Sequence, residues 1–440
     1  MRYEQDEFGT VKIPSDALYG IQTVRSTANL SFSKKKLTDY PDYVKALSIV
    51  KKAAALANGE AGVLPKRIQD AIVTACDELI SGKHVEHFPV DPYHGGGGIG
   101  SNMNVNEVVS NRANQILGYE IGSYEEVQPN DHVNASQSTS DVCHTAIRLT
   151  IARQLEKLLA VVRSLQQSIR EKANEWSDVM TISRTCLQDG MRVPLGDSMS
   201  GVVALLDRRM ESLQKATEQM DRINLGGTVI GSGIGASEGY RKNILHYLRE
   251  TTSRNVMYRD NLFDAAQHLD DLGDVSNELR QLASGLIKFG KDLRIRASGP
   301  ETGFGELSLP AVQAGSSFFP GKVNPVIPET LIQCCFKVLG CDRTVQAALE
   351  HGELDLNVFE GVAGMAIIDA IQMLTNVLPV FEERCVKGIK VNEATCRDYA
   401  NTTIPLVVDL KERFGYEAVS NAMKTDGKDG LLQLQANGGY

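Results

Sequence analysis

The sequence predicts a mainly α-helical protein, built on a long central helix bundle with smaller helical regions before and after it. No proline occurs between Pro129 and Pro194, or between Pro194 and Pro300. Long helices are the natural occupants of such stretches, because proline interrupts a helix interior. Within and after these stretches, apolar residues recur at steps of three and four, which is the spacing of one helix face.

Four apolar seams of this kind define the bundle. The first runs from Ile147 to Ile169 and the second from Leu272 to Leu293. A third, weaker seam runs from Val203 to Met220, and a fourth from Met365 to Leu374 in a stretch expected to end near Pro379. Helices of this number and length pack side by side as a bundle.

The distribution of turns predicts three regions along the chain. Residues 1–130 have shorter apolar runs and more turns, which indicates a mixed, mostly helical N-terminal domain. Residues 131–388 form the predicted bundle, and residues 389–440 a small C-terminal domain. A chain of 440 residues is long enough for two or three such regions.

Composition narrows the class of protein and its partners. The formal net charge is −9, which argues against a nucleic-acid partner because phosphate backbones require a concentrated basic surface. The sequence shows no run of about eighteen apolar residues and begins with an acidic, polar segment, so we expect a cytoplasmic protein without a membrane partner. The eight cysteines fit a reducing compartment.

No metal or other cofactor is assigned from the sequence. The cysteines form no C-x-x-C pair of the kind that binds zinc. His84 and His87 flank Glu86 and could hold a metal, but two histidines without a clear third ligand are more often solvated surface residues. We therefore expect a site that works with side chains and backbone amides alone.

Residues 315–329, which read GSSFFPGKVNPVIPE, are the most informative segment. Glycines allow the hinge-like backbone changes of a mobile loop, and Pro325 and Pro328 suit the approach to a helix. Such a loop fits proton abstraction beside a carboxylate, which leaves an enediolate that Lys322, Asn324 and loop amides can stabilise. Ser316 could act as the base only if the same donors hold its alkoxide.

This loop resembles the signature G-S-S-x-M-P-x-K-x-N of the aspartase/fumarase superfamily, with Phe319 in place of the methionine. Further blocks are similar to that family and occur in family order. They are DALYGIQT (16–23), NMNVNE (102–107), PNDHVN (129–134), QSTSD (137–141), RTCLQD (184–189) and NLGG (224–227). Residues 326–329 and 335–340 lean toward the aspartate ammonia-lyase branch, and the C-terminal region is shorter than in that branch.

The resemblance implies roles for particular residues. It makes Ser316, Lys322 and Glu329 catalytic, with Glu329 at the position of the acid that pairs with a histidine in the fumarase proton relay. It also implies substrate-binding positions, with the carboxylates held by hydroxyls. These positions are Ile99, Asn102, Ser138, Thr139, Ser140, Thr185, Cys186, Ser317 and Asn324. The glycine run at 95–98 is interpreted as a turn that lets Asn102 and Asn104 approach the ligand.

Three of these positions depart from the family pattern. Ile99 stands where the relatives carry threonine, Ser140 where they carry asparagine, and Cys186 where they carry histidine or glutamine. Each lost hydrogen bond to a polar leaving group is worth about 1 to 3 kcal/mol. Because all three changes fall on the leaving-group side, the sequence favours a larger and less polar C2 substituent than ammonium.

Three functions remain open from the sequence. The first is a lyase, with carbon–nitrogen cleavage favoured, that removes ammonia or another C2 substituent from an aspartate-like or 2-substituted succinate to give fumarate. The second is a fumarate hydratase. The third is a helical-bundle protein that has lost catalysis and serves a structural or binding role, although the intact Ser316, Lys322 and Asn324 speak against it.

The predicted helix from Asp141 to about Trp176 has a consequence for assembly. At 1.5 Å per residue its ends lie roughly 50 Å apart, so Ser138 and Thr185 cannot meet in one chain. The resemblance agrees, because it implies a homotetramer with a superhelical core and with each site built from three chains.

Overall fold

The computed structural model describes residues 1–437 and confirms the mainly α-helical class. The N-terminal part starts with an antiparallel hairpin and continues with four helices. Its elements are β1 (Arg2–Asp6), β2 (Gly9–Ile13), α1 (Ile21–Asn29), α2 (Pro41–Glu60), α3 (Lys66–Ile80) and α4 (Ile99–Ile116). A proline in the first turn suits the start of α2, because that turn needs no backbone donor there.

The middle of the chain contains the long helices of the bundle. Its elements are α5 (Thr139–Glu175), β3 (Met180–Thr185), β4 (Gln188–Pro194), α6 (Leu195–Gln219), β5 (Arg222–Ile223), α7 (Glu238–Thr252), β6 (Met257–Tyr258), α8 (Leu262–Gln267), α9 (Asp270–Arg296), β7 (Leu307–Ser308), α10 (Val326–Glu350) and α11 (Glu360–Arg384). The chain closes with β8 (Lys390–Val391), α12 (Glu393–Ala400), α13 (Thr403–Phe414) and α14 (Tyr416–Asn437).

The apolar seams lie where the sequence placed them, with two adjustments. The seam residues of α5 and α9 are all buried. On α6 the seam is weaker, because Met210 is only half-buried. The prediction that the last seam helix ends near Pro379 is wrong, since α11 runs through this proline to Arg384. Leu378 and Phe381 on either side are fully buried, and this packing offsets the hydrogen bond that proline cannot donate.

By proximity of its residues the chain forms two compact units. The first comprises Met1–Leu158, Ser212–Arg280 and Lys337–Gln372, and the second Leu159–Glu211, Gln281–Phe336 and the chain from Met373 onward. The boundary falls inside α5, α6, α9, α10 and α11. The division into regions 1–130, 131–388 and 389–440 follows chain order and stays a prediction.

The first unit carries a buried charge network. The side chain of Arg148 is fully buried, and its Nε and Nη2 donate to the carboxylate of Asp271 at 2.6 and 2.8 Å. Its Nη1 donates to Glu360, whose Oε1 also lies 3.0 Å from Nδ1 of His144. Each buried charge thus has a partner, as burial in a low-dielectric interior requires.

One helical segment of the described chain, Glu360–Gly388, is long and apolar enough to cross a membrane. A core helix of a bundle passes the same test, and 56% of its most apolar window is buried inside the structure. The helix also begins with Glu360, which is held by Arg148. These features are those of a helix that packs inside the protein.

Candidate active site

The QSTSD block forms the start of α5, where its aspartate accepts three backbone N–H groups. Oδ1 of Asp141 accepts the backbone N–H of Ser138 at 2.8 Å, and Oδ2 accepts those of Gly226 and Thr228 at 3.0 Å each. Burial raises the pKa of Asp141 to about 6, although these three N–H groups act in the opposite direction. The half-buried hydroxyls of Ser138 and Thr139 thus lie at the N-terminus of a 37-residue helix, where the helix dipole favours a carboxylate.

Asn102 lies behind this loop. Its Nδ2 donates to Oγ1 of Thr139 at 3.0 Å and to Oδ1 of Asn134 at 3.1 Å, and the residue is 1% exposed. Asn102 therefore orients the Thr139 hydroxyl. The expectation that Asn104 also approaches the ligand is wrong, because Asn104 is fully buried and donates to the carbonyl of His87.

Two of the positions that depart from the family pattern, Ser140 and Ile99, lie in the first unit, and their surroundings differ. Ser140 is buried, and its hydroxyl lies 3.1 and 3.0 Å from the carbonyls of Thr228 and Val229. It is also 3.2 Å from the hydroxyl of Ser138. Its single proton is therefore engaged by the protein. Ile99, the first residue of α4, is 46% exposed and presents an apolar surface.

A buried lysine supports the same loop, and no motif in the sequence pointed to it. Nζ of Lys51, on α2, donates to Oδ1 of Asn134 at 2.9 Å and to Oε1 of Gln137 at 3.0 Å. Full burial of the ammonium lowers the pKa of Lys51 to about 7. Oδ1 of Asn134 also accepts a hydrogen bond from Asn102, which in turn donates to Thr139. This lysine therefore contributes to the positioning of Thr139.

The shifted pKa of Lys51 predicts a pH-dependent stability. A lysine in the unfolded chain titrates near 10.4, so the unfolded state binds the extra proton between pH of about 7 and 10. The free energy of unfolding should therefore rise across that range, by at most about 1.4 kcal/mol per pH unit. The measurement is urea unfolding at several pH values.

Lys51→Met should flatten this rise. The matched control is Lys52→Met at the next position, where the ammonium forms an ion pair with Asp77 at 2.6 Å. An identical pH dependence in the wild type and in Lys51→Met would show that Lys51 is charged in the folded protein throughout this range.

In the second unit, Thr185 and Cys186 lie at the tip of the β3–β4 hairpin. Thr185 pairs with Gln188, so Cys186 and Leu187 form a two-residue turn. Both turn residues have positive φ, 54° and 59°, a backbone conformation that glycine or asparagine adopts more easily. All three residues from Thr185 to Leu187 are exposed. Strained residues of this kind concentrate at functional sites.

The base of the hairpin is fixed by a buried carboxylate that sequence reasoning missed. Glu306 is fully buried and accepts hydrogen bonds from Thr181 at 2.7 Å, Arg184 at 2.9 Å and Arg296 at 3.0 Å. The guanidinium of Arg184 also lies over the ring of Phe304, 4.3 Å from its centroid. Arg184 precedes Thr185 directly, so this network sets the direction of the hairpin tip.

The loop at 315–324 is closed at its ends. The backbone N–H of Gly315 donates to the carbonyl of Lys322 at 2.8 Å, and Nδ2 of Asn324 donates to the carbonyl of Gly315 at 2.6 Å. A Cβ at position 315 would lie 2.5 Å from the backbone nitrogen of Asn324. Only glycine fits there, because this contact is with backbone.

Inside this loop the Ser316 hydroxyl faces backbone donors. Its Oγ accepts the N–H groups of Phe318 at 3.0 Å and Phe319 at 2.9 Å. The ammonium of Lys322 lies 5.6 Å from the centroid of the Phe319 ring, on an exposed stretch that also includes Ser317. Two N–H groups directed at one oxygen stabilise negative charge on it.

Glu329 lies in the first turn of α10. Its carboxylate is 3.1 Å from Nη2 of Arg294 and is about one-third exposed. A nearby cavity of about 350 Å³ is lined by Val323, Asn324 and Pro325, among others, and not by Ser316 or Lys322. The hydroxyl and the ammonium thus lie outside this cavity.

Within each unit the candidate residues form local groups. Asn102, Ser138, Thr139 and Ser140 lie together at the start of α5. The hairpin tip and the Ser316 loop form two further groups. Within residues 1–437 no hydrogen bond or ion pair joins the Ser316 loop to the hairpin at 180–194.

Comparisons with known proteins agree with the resemblance seen in the sequence. A family model described as a lyase matches residues 9–340. Aspartate ammonia-lyase from Helicobacter pylori (strain J99) is 40% identical over 430 residues, which cover 97% of this chain and 92% of that protein. Aspartate ammonia-lyase from Escherichia coli (strain K12) is 39% identical over 417 residues, which cover 94% and 87%.

Solved structures show the same relationship. A fumarate lyase:delta crystallin from Brucella melitensis, bound to cobalt, superimposes with a TM-score of 0.96 at 39% identity, over 100% of this chain and 96% of that one. A class II fumarase from Schistosoma mansoni gives 0.93 at 30% identity, over 99% and 95%. The chain therefore belongs to the lyase family, and within it to the aspartate ammonia-lyase branch of the aspartase/fumarase superfamily.

Proposed function

We propose that this protein eliminates ammonia, or another C2 substituent, from L-aspartate or an aspartate-like succinate and releases fumarate. The observation that carries the proposal is the Ser316 hydroxyl, whose oxygen accepts two loop amides at 2.9 and 3.0 Å. These donors support the role of Ser316 as the base, because a serine can act as one only if its alkoxide is stabilised. The names of the relatives support carbon–nitrogen cleavage over hydration.

The residues of the chain divide the reaction between them. Ser316 Oγ takes the proton from C3 of the substrate, and the electron pair of that C–H bond moves to the adjacent carboxylate as an enediolate. Lys322 and the loop amides stabilise this charge. Collapse of the enediolate forms the C2–C3 double bond, and the C2–N bond breaks with its electron pair leaving on nitrogen.

The anchoring groups hold the two substrate carboxylates. Ser138 and Thr139 present hydroxyls at the N-terminus of α5, and Thr185 presents one at the hairpin tip, with Ser317 on the catalytic loop. Asn324 donates one amide N–H to the carbonyl of Gly315, and its second amide N–H is available to the substrate. Glu329 lies with Arg294 and serves the leaving-group side with Ile99, Ser140 and Cys186.

The substrate is a small dicarboxylate, and the other partner is a further copy of the same chain. We propose a homotetramer in which three chains contribute to each site, in the cytoplasm. Support comes from the second unit, where no hydrogen bond or ion pair of the described residues joins the hairpin tip to the Ser316 loop, and from α5, whose 37 residues span about 55 Å.

A second candidate reaction is elimination from a succinate with a bulkier C2 substituent. It is favoured by the Ser140 hydroxyl, which is engaged by two backbone carbonyls, and by the exposed apolar surface of Ile99. On this hypothesis plain L-aspartate is a poor substrate. The measurement is kcat/KM from fumarate absorbance, with L-aspartate, L-malate and N-substituted aspartates compared side by side.

We expect a triple variant with restored polarity to have a higher kcat/KM for aspartate or malate and a lower one for the bulkier substrate. Its substitutions are Ile99→Thr, Ser140→Asn and Cys186→His. A wild-type kcat/KM for aspartate of about 10⁴ M⁻¹s⁻¹ or more would make this an ordinary aspartate ammonia-lyase. If no succinate derivative gives fumarate and fumarate itself does not bind, the lyase proposal fails.

A further inference from the structure

The turn between α3 and α4 places three metal-ligating side chains together, none of which has a role in the proposed reaction. His84, Glu86 and His87 each offer one ligand atom, and these atoms lie within 4.8 Å of one another. Residues Val85–His87 form one turn of 3₁₀ helix, and His84 directly precedes it. The two imidazole rings lie nearly parallel, 28° apart, with centroids separated by 6.2 Å.

The backbone at His84 is held in a special conformation. Its φ is 64°, in the left-handed region that side chains other than glycine, asparagine and aspartate enter less readily. This conformation starts the 3₁₀ turn and brings the ring of His84 over the same side as that of His87. Side chains on such a short, strained turn are positioned by the backbone before any ligand arrives.

The surroundings of His84 are those of a metal ligand. Its Nε2 lies 2.9 Å from Oε2 of Glu78 on α3, and Glu78 is in turn held by Nε and Nη2 of Arg112 on α4 at 2.6 and 2.9 Å. A carboxylate that accepts the N–H at Nε2 leaves the lone pair on Nδ1 for a metal. Carboxylate–histidine pairs of this kind orient the ring and raise its basicity as a ligand.

For His87 to bind a metal, its ring proton must move from one nitrogen to the other. Its Nδ1 receives a long contact of 3.4 Å from the backbone N–H of Leu18, and its Nε2 lies 3.6 Å from Oε1 of Glu86. Binding through Nε2 moves the ring proton to Nδ1 and gives up the contact with Leu18. That contact is longer than an ordinary hydrogen bond, but Leu18 is buried, so its loss leaves a buried N–H without this acceptor and lowers the affinity for the metal. Glu86 is mostly exposed and can turn toward the metal without leaving a buried partner.

We propose that His84, Glu86 and His87 bind a divalent transition metal of the zinc, cobalt and nickel class, with water completing the coordination. Two imidazoles and one carboxylate suit these metals better than magnesium or calcium, which prefer oxygen ligands alone. The sequence alone could not show whether Glu86 reaches the same point as the two histidines, and in the structure its carboxylate lies within 4.8 Å of their ligand nitrogens.

The site would brace α4. The carbonyl of His87 accepts Nδ2 of Asn104, and His84 reaches Arg112 through Glu78, so the turn is tied to α4 at two points. The same helix carries Asn102, which bonds to Thr139. A metal at the turn therefore stabilises the N-terminal part of the chain and does not contact the proposed reacting atoms.

The test is binding of Co²⁺ to the full chain after chelator treatment, by equilibrium dialysis and by the visible d–d absorption of the ion. We expect close to one Co²⁺ per chain, with the spectrum of nitrogen and oxygen ligands, and a raised thermal midpoint. His87→Ala and Glu86→Gln should each weaken binding at least about tenfold, and Glu78→Gln by about 10- to 100-fold. Glu86→Gln alters an exposed side chain, so it remains informative if a histidine variant folds poorly.

The matched control is His246→Ala on α7, which removes an exposed histidine 4.0 Å from Glu250. It should leave binding and the spectrum unchanged. Cobalt bound instead by the exposed thiol of Cys186 would add an intense near-ultraviolet thiolate band. The proposal would be overturned if the wild type bound far less than one Co²⁺ per chain. It would also be overturned if Glu86→Gln and His87→Ala both bound Co²⁺ as the wild type does. Because the readout is metal binding, it stands or falls independently of the lyase activity.

Discussion

Ser316→Ala is expected to abolish fumarate formation while leaving the fold and the oligomeric state intact. The hydroxyl is half-buried in an exposed loop, where it accepts only the N–H groups of Phe318 and Phe319. It therefore contributes little to the core, whereas the proposed reaction cannot start without a base at C3. Loss of a general base typically costs about 10²- to 10⁴-fold in rate. The measurement is kcat from fumarate absorbance at saturating substrate.

Ser317→Ala is the matched comparison, because it removes the neighbouring hydroxyl from the same loop. Its proposed role is to bind substrate, so KM should rise with a much smaller loss of kcat than in Ser316→Ala. If Ser316→Ala retained a tenth or more of the wild-type turnover, another residue would be the base. Size-exclusion chromatography and circular dichroism check that both variants keep the native assembly.

Mixing inactive Ser316→Ala subunits with inactive Thr185→Ala subunits is expected to restore activity. Thr185 lies at a hairpin tip, and no hydrogen bond or ion pair in the described chain joins the 180–194 hairpin to the Ser316 loop. If each site draws the two residues from different chains, a random equal mixture gives both wild-type residues to about a quarter of the sites. The measurement is turnover after subunit exchange, with the exchange followed by differently tagged chains.

Ser316→Ala mixed with Lys322→Ala is the control for this experiment. Both residues lie on one loop of one chain, so every loop in the mixture carries one defect and no activity should return. Recovery in this control would point to contamination or to a different arrangement of sites. Absence of recovery in the Ser316/Thr185 mixture, with exchange confirmed, would place both residues in a site within one chain.

Local sequence patterns predicted much of the fold, because they reflect properties of single helices. The absence of proline over residues 130–193 and 195–299 and the apolar steps of α5 and α9 depend only on neighbours in sequence. The end of α11 was misplaced for the opposite reason. Whether Pro379 breaks a helix depends on the packing of Leu378 and Phe381 against other elements, and no local pattern contains that information.

The supporting shell of the candidate site was also invisible in the sequence. Lys51 reaches Asn134 across 83 positions, and Glu306 reaches Arg184 across 122. A lone lysine or glutamate in a helix or loop carries no motif, and only the fold shows which one is buried beneath the site. The resemblance supplied residues at the site surface, and the structure supplied those that hold them in place.

In the two-residue turn at Cys186 and Leu187, the backbone conformation is set independently of which side chain stands at position 186. Both residues are left-handed, so the direction of the side chain at 186 is set by the turn and by Glu306 below it. Histidine is among the residues that tolerate this conformation best. On the proposal that residue 186 faces the leaving group, a substitution here changes the side chain presented to the substrate and leaves the backbone of the hairpin as it is.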